Sequence, residues 1–244
     1  MELTGKLALI TGSTGGIGRE TAALMAASGA TVVVTGRNEQ RGAQTVKEIT
    51  ENGGAARFIA ADLADLDSLR RLAAEAGDVD ILVNNAGIFP GAPTVAQDVA
   101  SFDATLAANI RAPFFLTAAL APAMLAKGSG AIINVSTMVA RIGMPGLAVY
   151  SASKAALESL TRTWATEFSP AGVRVNAVAP GPTLTDAVLV NMGEEGAKQM
   201  GGTTLLGRVA APREIAEVIT FLATDRASYI TGAVIAADAG RTAV

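Results

Sequence analysis

Apolar residues along this chain gather in short unbroken runs and do not alternate strictly with polar ones. Lys6–Thr11, Thr31–Thr35, Ala56–Ala60, Asp80–Asn84, Ala131–Ser136, Val173–Val178 and Ala233–Ala237 are such runs, bounded by turn residues. Runs of this kind suit strands buried on both faces, as in a parallel sheet. Longer stretches of helical character lie between them: Gly16–Ser28, Glu39–Asn52, Asp67–Ala76, Phe102–Lys127, Ser151–Phe168 and Pro212–Ala223. Several stop at a glycine (Gly29, Gly53, Gly77, Gly128), and the last opens on proline, which is the usual asymmetry of helix ends. The alternation predicts an α/β chain with one doubly wound domain over residues 1–244, of about seven parallel strands with helices on both faces. Residues 180–207 are rich in Gly, Thr and Met. We read them as irregular, with a substrate loop or lid at about 182–207.

The first strand runs into Thr11-Gly12-Ser13-Thr14-Gly15-Gly16-Ile17-Gly18, and a helix follows. In that context Gly12 makes the tight turn, Gly16 lets the backbone approach a pyrophosphate, and Gly18 lets helix pack on strand. The helix N-terminus adds N–H donors and the positive end of a dipole. The second strand ends in Thr35-Gly36-Arg37-Asn38, about 20 residues past the glycines, where an acid would hold the ribose 2′-hydroxyl of NAD. Here the charged residue is Arg37. A carboxylate would repel a 2′-phosphate, whereas a guanidinium binds one with two hydrogen bonds. The pattern therefore favours NADP(H) over NAD(H).

Composition sharpens the chemistry. The 244 residues include no Cys and no His. Thiol nucleophiles, Ser-His-Asp triads and most zinc sites are excluded, and no metal is expected. Any catalysis must use Tyr, Lys, Ser/Thr, Asn or a carboxylate. Lys and Arg number 19 against 22 Asp and Glu, a net charge of −3, so neither a nucleic-acid footprint nor a polybasic membrane patch is expected. The first six residues do not read as a signal peptide. The most apolar long window, Ala112–Ala126, holds Pro113 and Pro122 and falls short of the roughly 20 residues of a membrane span. A cytoplasmic protein is the expectation.

Tyr150-Ser151-Ala152-Ser153-Lys154 opens a predicted helix, with Tyr150 and Lys154 on one face at i and i+4. A free phenol titrates at about 10. A neighbouring ammonium favours its phenolate, so Tyr150 becomes able to exchange a proton with a substrate hydroxyl or carbonyl.

Taken together, the Gly-x3-Gly-x-Gly loop and the Tyr-x3-Lys pair make the chain, from Gly5 to Gly240, resemble the short-chain dehydrogenase/reductase family. The resemblance implies a Rossmann fold and a nicotinamide dinucleotide held by Thr11–Gly18. It implies that Asp62 and Leu63 meet the adenine, and that Asn85, Ala86 and Gly87 line the adenine–ribose side. After the sixth strand it assigns Pro180, Gly181, Thr183 and Thr185 to the nicotinamide and pyrophosphate. It makes Tyr150 the acid/base, gives Lys154 ribose contact, and matches Asn109 to a residue holding a relay water. The substrate-orienting hydroxyl falls thirteen residues before Tyr150, at Thr137, with Ser136 as the alternative if the register shifts. In one respect the chain departs from many NADP-using relatives, which carry a basic residue in the glycine loop where this chain has Gly15. The resemblance also implies a homotetramer, for which the Ala112–Ala126 helix would supply a buried face.

The expected reaction is hydride transfer between NADP(H) and a small-molecule ketone or secondary alcohol. Expected pocket walls include Phe89, Met138, Met144, Leu147, Met192 and Met200. Two rivals stay open: reduction of carrier-bound 3-oxoacyl chains, and a dinucleotide-binding regulator without turnover. The basic residues that a carrier protein would meet before strands five and six are incomplete, with Lys127-Gly128-Ser129 and Pro170-Ala171-Gly172 in those places.

Overall fold

A computed structural model describes residues 1–244, apart from the side chain of Asn191. Seven strands form one parallel sheet: β1 (Leu7–Ile10), β2 (Thr31–Gly36), β3 (Ala55–Ala60), β4 (Ile81–Asn84), β5 (Gly130–Val135), β6 (Val173–Pro180) and β7 (Val234–Ala237). Their order is β3-β2-β1-β4-β5-β6-β7. The chain reverses direction across the sheet between β1 and β4, which creates the crevice where open α/β sheets bind ligands. The strands read as continuous apolar runs because both faces are covered. Ala8, Ile10, Val32 and Val34 join one buried cluster, while Leu9, Val33, Leu82 and Ile132 join the other.

The helices are α1 (Gly16–Ala27), α2 (Glu39–Glu51), α3 (Leu66–Ala76), α4 (Val99–Leu106), α5 (Ala112–Lys127), α6 (Ala148–Phe168), α7 (Asp186–Gly201) and α8 (Pro212–Ala223). Three departures from the sequence reading matter for the site. The single helix expected over Phe102–Lys127 is two helices joined by a π-turn at Ala107–Arg111, with Asn109 inside the turn. That wider turn lets the buried Asn109 amide bond outside its own helix. Next, α6 begins at Ala148, so Tyr150 lies in its first turn. Finally, the segment read as irregular contains α7. Thr185 caps it by accepting from the Val188 N–H at 3.3 Å, and Asp186 sits favourably in the first turn against the helix dipole. The composition obscured this helix because Gly193 interrupts it, at φ 67° and ψ 179°.

The stretch Val99–Lys127 is long and apolar enough to cross a membrane by length and composition. Its apolar content nevertheless builds the core: Leu116, Leu120 and Met124 are buried against the sheet.

Candidate active site

The glycine loop is held by internal hydrogen bonds. Ser13 is fully buried, and its hydroxyl donates to the Ile10 carbonyl at 2.7 Å and accepts from the Thr35 N–H at 3.0 Å. The Thr11 hydroxyl accepts from the N–H groups of Asn85 and Ala86 at 2.9 and 3.0 Å. The Asn85 amide returns a bond to the Thr11 carbonyl at 2.8 Å. Gly12 and Gly16 adopt left-handed φ of 65° and 52°. A Cβ on Gly18 would lie 2.5 Å from the Gly12 carbonyl oxygen. Small residues here leave a backbone cradle facing the crevice, which fits the phosphates of a dinucleotide at the start of α1.

The other expected cofactor residues ring this cradle from the C-terminal ends of the strands. Past β2, Arg37 is exposed and has no ion-pair partner among the described residues, while Asn38 caps α2 by accepting from the Arg41 N–H at 2.9 Å. Past β3, the Asp62 carboxylate closes a local turn with the Ala64 N–H at 3.0 Å. Asp65 caps α3, and Leu63 packs on the second core cluster. Past β6, the Gly181 N–H donates to the Ala237 carbonyl and the Thr183 hydroxyl to the Gly181 carbonyl. A Cβ on Gly16 would lie 3.3 Å from the Thr185 methyl, so the start of α7 roofs the glycine loop. The side chains of Ser13, Asn38, Thr183 and Thr185 are engaged internally, and Ile17 packs on the core. A ligand here would therefore meet mainly their backbone.

The remaining predicted residues converge at the ends of β4 and β5. The Thr137 hydroxyl faces the Tyr150 oxygen, near enough to favour its phenolate. Lys154, one turn further along α6, is 3% exposed, and its ammonium donates to the Val135 carbonyl at 2.8 Å. Asn109 is fully buried. Its carbonyl oxygen accepts from the Ile88 N–H, and its amide donates to the Ile88 carbonyl, both at 2.9 Å. The same amide donates to Ser153 at 3.0 Å, and Ser153 donates to the Tyr150 carbonyl at 2.7 Å. Gly87 closes the group, since a Cβ there would lie 3.1 Å from both the Lys154 nitrogen and the Asn109 oxygen. Phe89 packs against Tyr150 with ring centroids 5.9 Å apart. Met138 is buried and does not form part of an open pocket wall.

Electrostatics in this cluster are dominated by burial. Burial pushes the Tyr150 phenol above its ordinary value, and the Thr137 hydrogen bond pulls partly back. Burial also draws the Lys154 ammonium down to about 8. A neutral phenol beside an ammonium can donate a proton to a developing alkoxide. A second cation nearby would tilt the phenol toward phenolate and so toward accepting one.

Two functional neighbours escaped the sequence reading. Ser136 does not face Tyr150; its hydroxyl donates to the buried Glu158 carboxylate at 2.8 Å. Glu158 in turn faces Arg141 at 3.8 Å. Glu158 follows Lys154 by four residues, and that i+4 spacing was the available signal. Arg41 was also missed, and it lies over the glycine loop. No group of three or more His, Cys, Asp or Glu among the described residues could hold a metal ion.

This geometry can be set beside known proteins. A family profile described as enoyl-(acyl carrier protein) reductase matches residues 12–242. A solved structure titled "short chain dehydrogenase/reductase family protein" superposes with a TM-score of 0.95, at 54% identity over 100% of both chains. The chain belongs to the short-chain dehydrogenase/reductase family. Among its relatives, the 3-oxoacyl-[acyl-carrier-protein] reductase FabG of Thermotoga maritima is 37% identical over 98% of this chain and 99% of its own. The cis-4-hydroxycyclohexanecarboxylate dehydrogenase of Sinomonas cyclohexanicum is 38% identical over 98% and 97%. A putative NAD(P)-dependent gluconate 5-dehydrogenase from Beutenbergia cavernae, solved with bound NADP at low occupancy, superposes with a TM-score of 0.95. It is 38% identical over 100% of this chain and 99% of that one. This member of the short-chain dehydrogenase/reductase family is an NAD(P)-dependent oxidoreductase acting between ketones and alcohols.

Proposed function

We propose that Tyr150 is the acid/base of a carbonyl reductase that prefers NADP(H) and works on a free small-molecule ketone or its secondary alcohol. The observation that carries the site assignment is the convergence of Thr137 on the Tyr150 oxygen with the buried Lys154 one turn away. The cofactor, when bound, supplies or accepts the hydride. In reduction, the Tyr150 hydroxyl gives its proton to the substrate oxygen and Thr137 orients that oxygen. The Lys154 ammonium stabilises the phenolate left behind and anchors the cofactor ribose. Asn109 fixes Ile88 and, through Ser153, the first turn of α6, and it holds the relay water that re-protonates the site.

The glycine loop, Arg37, Asn38, Asp62, Leu63, Asn85, Ala86, Gly87, Pro180, Gly181, Thr183 and Thr185 form the cofactor site in this reading. Preference for NADP(H) rests on the unpaired Arg37 and on the absence of an acid at the end of β2. A free ketone is favoured over a carrier-bound one because Lys127, the basic residue before β5, is paired with Asp80 at 2.6 Å and so is less available to an acidic carrier. The segment at about 182–207, with α7 inside it, covers the substrate as a lid. We read the whole chain as one cytoplasmic domain that acts without nucleic acid or membrane. It assembles as a homotetramer, which would cover the exposed Val99, Phe102, Phe114 and Phe115 of α4 and α5.

Tyr150→Phe tests this reading. Turnover on a confirmed ketone should fall by roughly 10²–10⁴-fold with NADPH affinity retained. A variant keeping most of its turnover would remove Tyr150 from the role. A chain that binds NADPH yet exchanges no hydride with a broad carbonyl panel would instead be the regulator.

A further inference from the structure

The first turn of α2 places a second cation at the adenosine end of the crevice. Arg41 reaches back across the glycine loop, and its Nε donates to the Thr14 carbonyl at 3.2 Å. A Cβ built on Gly15 would lie 2.5 Å from Arg41 Nη2. The guanidinium therefore occupies the space that any side chain at position 15 would take. Gly15 is not needed for its backbone, since its φ of −178° is extended and open to every residue. What glycine provides here is room for Arg41.

Arg41 Nη2 also meets Asp186 Oδ2 at 3.2 Å, across 145 residues of sequence, at the first turn of α7. Both side chains are more than half exposed, at 54% and 78%. Such a solvent-exposed pair is held weakly. A phosphomonoester carries about −1.5 to −2 charges and three strong acceptors, so it would outcompete a single exposed carboxylate for this guanidinium.

We propose that Arg41 is a second determinant of cofactor choice beside Arg37, a ligand for the 2′-phosphate that Gly15 admits and Thr14 holds in place. The inference rests on the NADP(H) reading and extends it to a residue on another element. It also makes the 2′-phosphate a competitor of Asp186, at the first turn of α7, for the same guanidinium.

Equilibrium binding, not turnover, provides the test. Calorimetric Kd values for NADPH and NADH are measured on the intact wild type, Arg37→Ala, Arg41→Ala and Gly15→Ala. Arg41→Ala should weaken NADPH by about tenfold, the cost of a charge-assisted contact, and leave NADH within about twofold. Gly15→Ala, which keeps the arginine but crowds it, should lower the NADPH-to-NADH preference by a smaller factor in the same direction. It also serves as the test if Arg41→Ala fails to fold. If Arg37→Ala removes the preference while both other variants keep it, this inference is overturned and the parent reading stands. Equal weakening of NADPH and NADH by Arg41→Ala also overturns it, since Arg41 would then only be bracing the loop. A wild type indifferent to the 2′-phosphate, unchanged in every variant, overturns both.

Discussion

The two ends of the crevice hold their cations in opposite ways. At the adenosine end, Arg37 and Arg41 are exposed, and water and salt screen them. At the proposed reacting end, Lys154 is buried and its ammonium donates to the Val135 carbonyl. The exposed pair can select a ligand by charge. The buried ammonium bears a desolvation cost, and burial has lowered its titration to about 8. In the proposed reading, recognition falls to exposed guanidinium groups, and proton chemistry to buried groups whose charge depends on their surroundings.

Lys154→Met breaks the contrast most severely. Turnover should fall by roughly 10²–10⁴-fold, because the phenol loses its neighbouring cation. Stability should respond in the opposite sense. The folded-state value of Lys154, about 8, lies below its ordinary 10.5, so between those values the folded chain binds fewer protons than the unfolded one. The lysine's contribution to stability is then complete above about pH 10.5 and declines as pH falls through about 8. Thermal melts should find the Met variant at least as stable as wild type at pH 7, with that advantage gone near pH 10. A variant destabilised at pH 7 and unchanged at pH 10 would show that burial of the charge costs nothing.

Glu158→Ala sharpens the contrast at intermediate size. Glu158 holds Ser136, next in sequence to Thr137. Its loss should lower kcat by about tenfold, the cost of a lost charge-assisted hydrogen bond, with KM for NADPH unchanged. Partial recovery in Glu158→Gln, which can still accept from Ser136, would separate positioning from charge. A change in KM alone would place Glu158 outside the reacting end. The smallest effect is expected at Arg37. Between about 0.05 and 0.5 M salt, the advantage of NADPH over NADH should shrink severalfold as the Debye length contracts. An advantage independent of salt would mean that Arg37 is not a screened surface cation in the complex.

Most of the fold was legible because the inner strands β1, β2, β4, β5 and β6 are largely buried on both faces and so read as mainly apolar runs, while the edge strands β3 and β7 are more exposed. The Tyr150–Lys154 pair and the glycine loop were legible for a related reason: both depend on local spacing within one turn. Contacts that cross the chain were not. Arg41 meets Thr14 and Asp186 only because α2 and α7 fold toward one loop, and no local pattern encodes that meeting. Ser136 and Thr137 are neighbours with the same functional group, and only the position of Glu158 assigns one inward and the other toward Tyr150. α7 was hidden because Gly193 divides it into pieces shorter than a sequence window can recognise.

The break at Gly193 has its own consequence. Its φ of 67° with ψ of 179° lies in a region open essentially only to glycine, so the bend is written into the sequence as one irreplaceable residue. The first half of α7 starts beside the glycine loop: Thr185 lies against Gly16, and Asp186 pairs with Arg41, whose Nε donates to the Thr14 carbonyl. The second half makes neither of those contacts. A side chain at Gly193 would strain this bend, so Gly193→Ala would be felt at the joint between the two halves and not at the Arg41 contact.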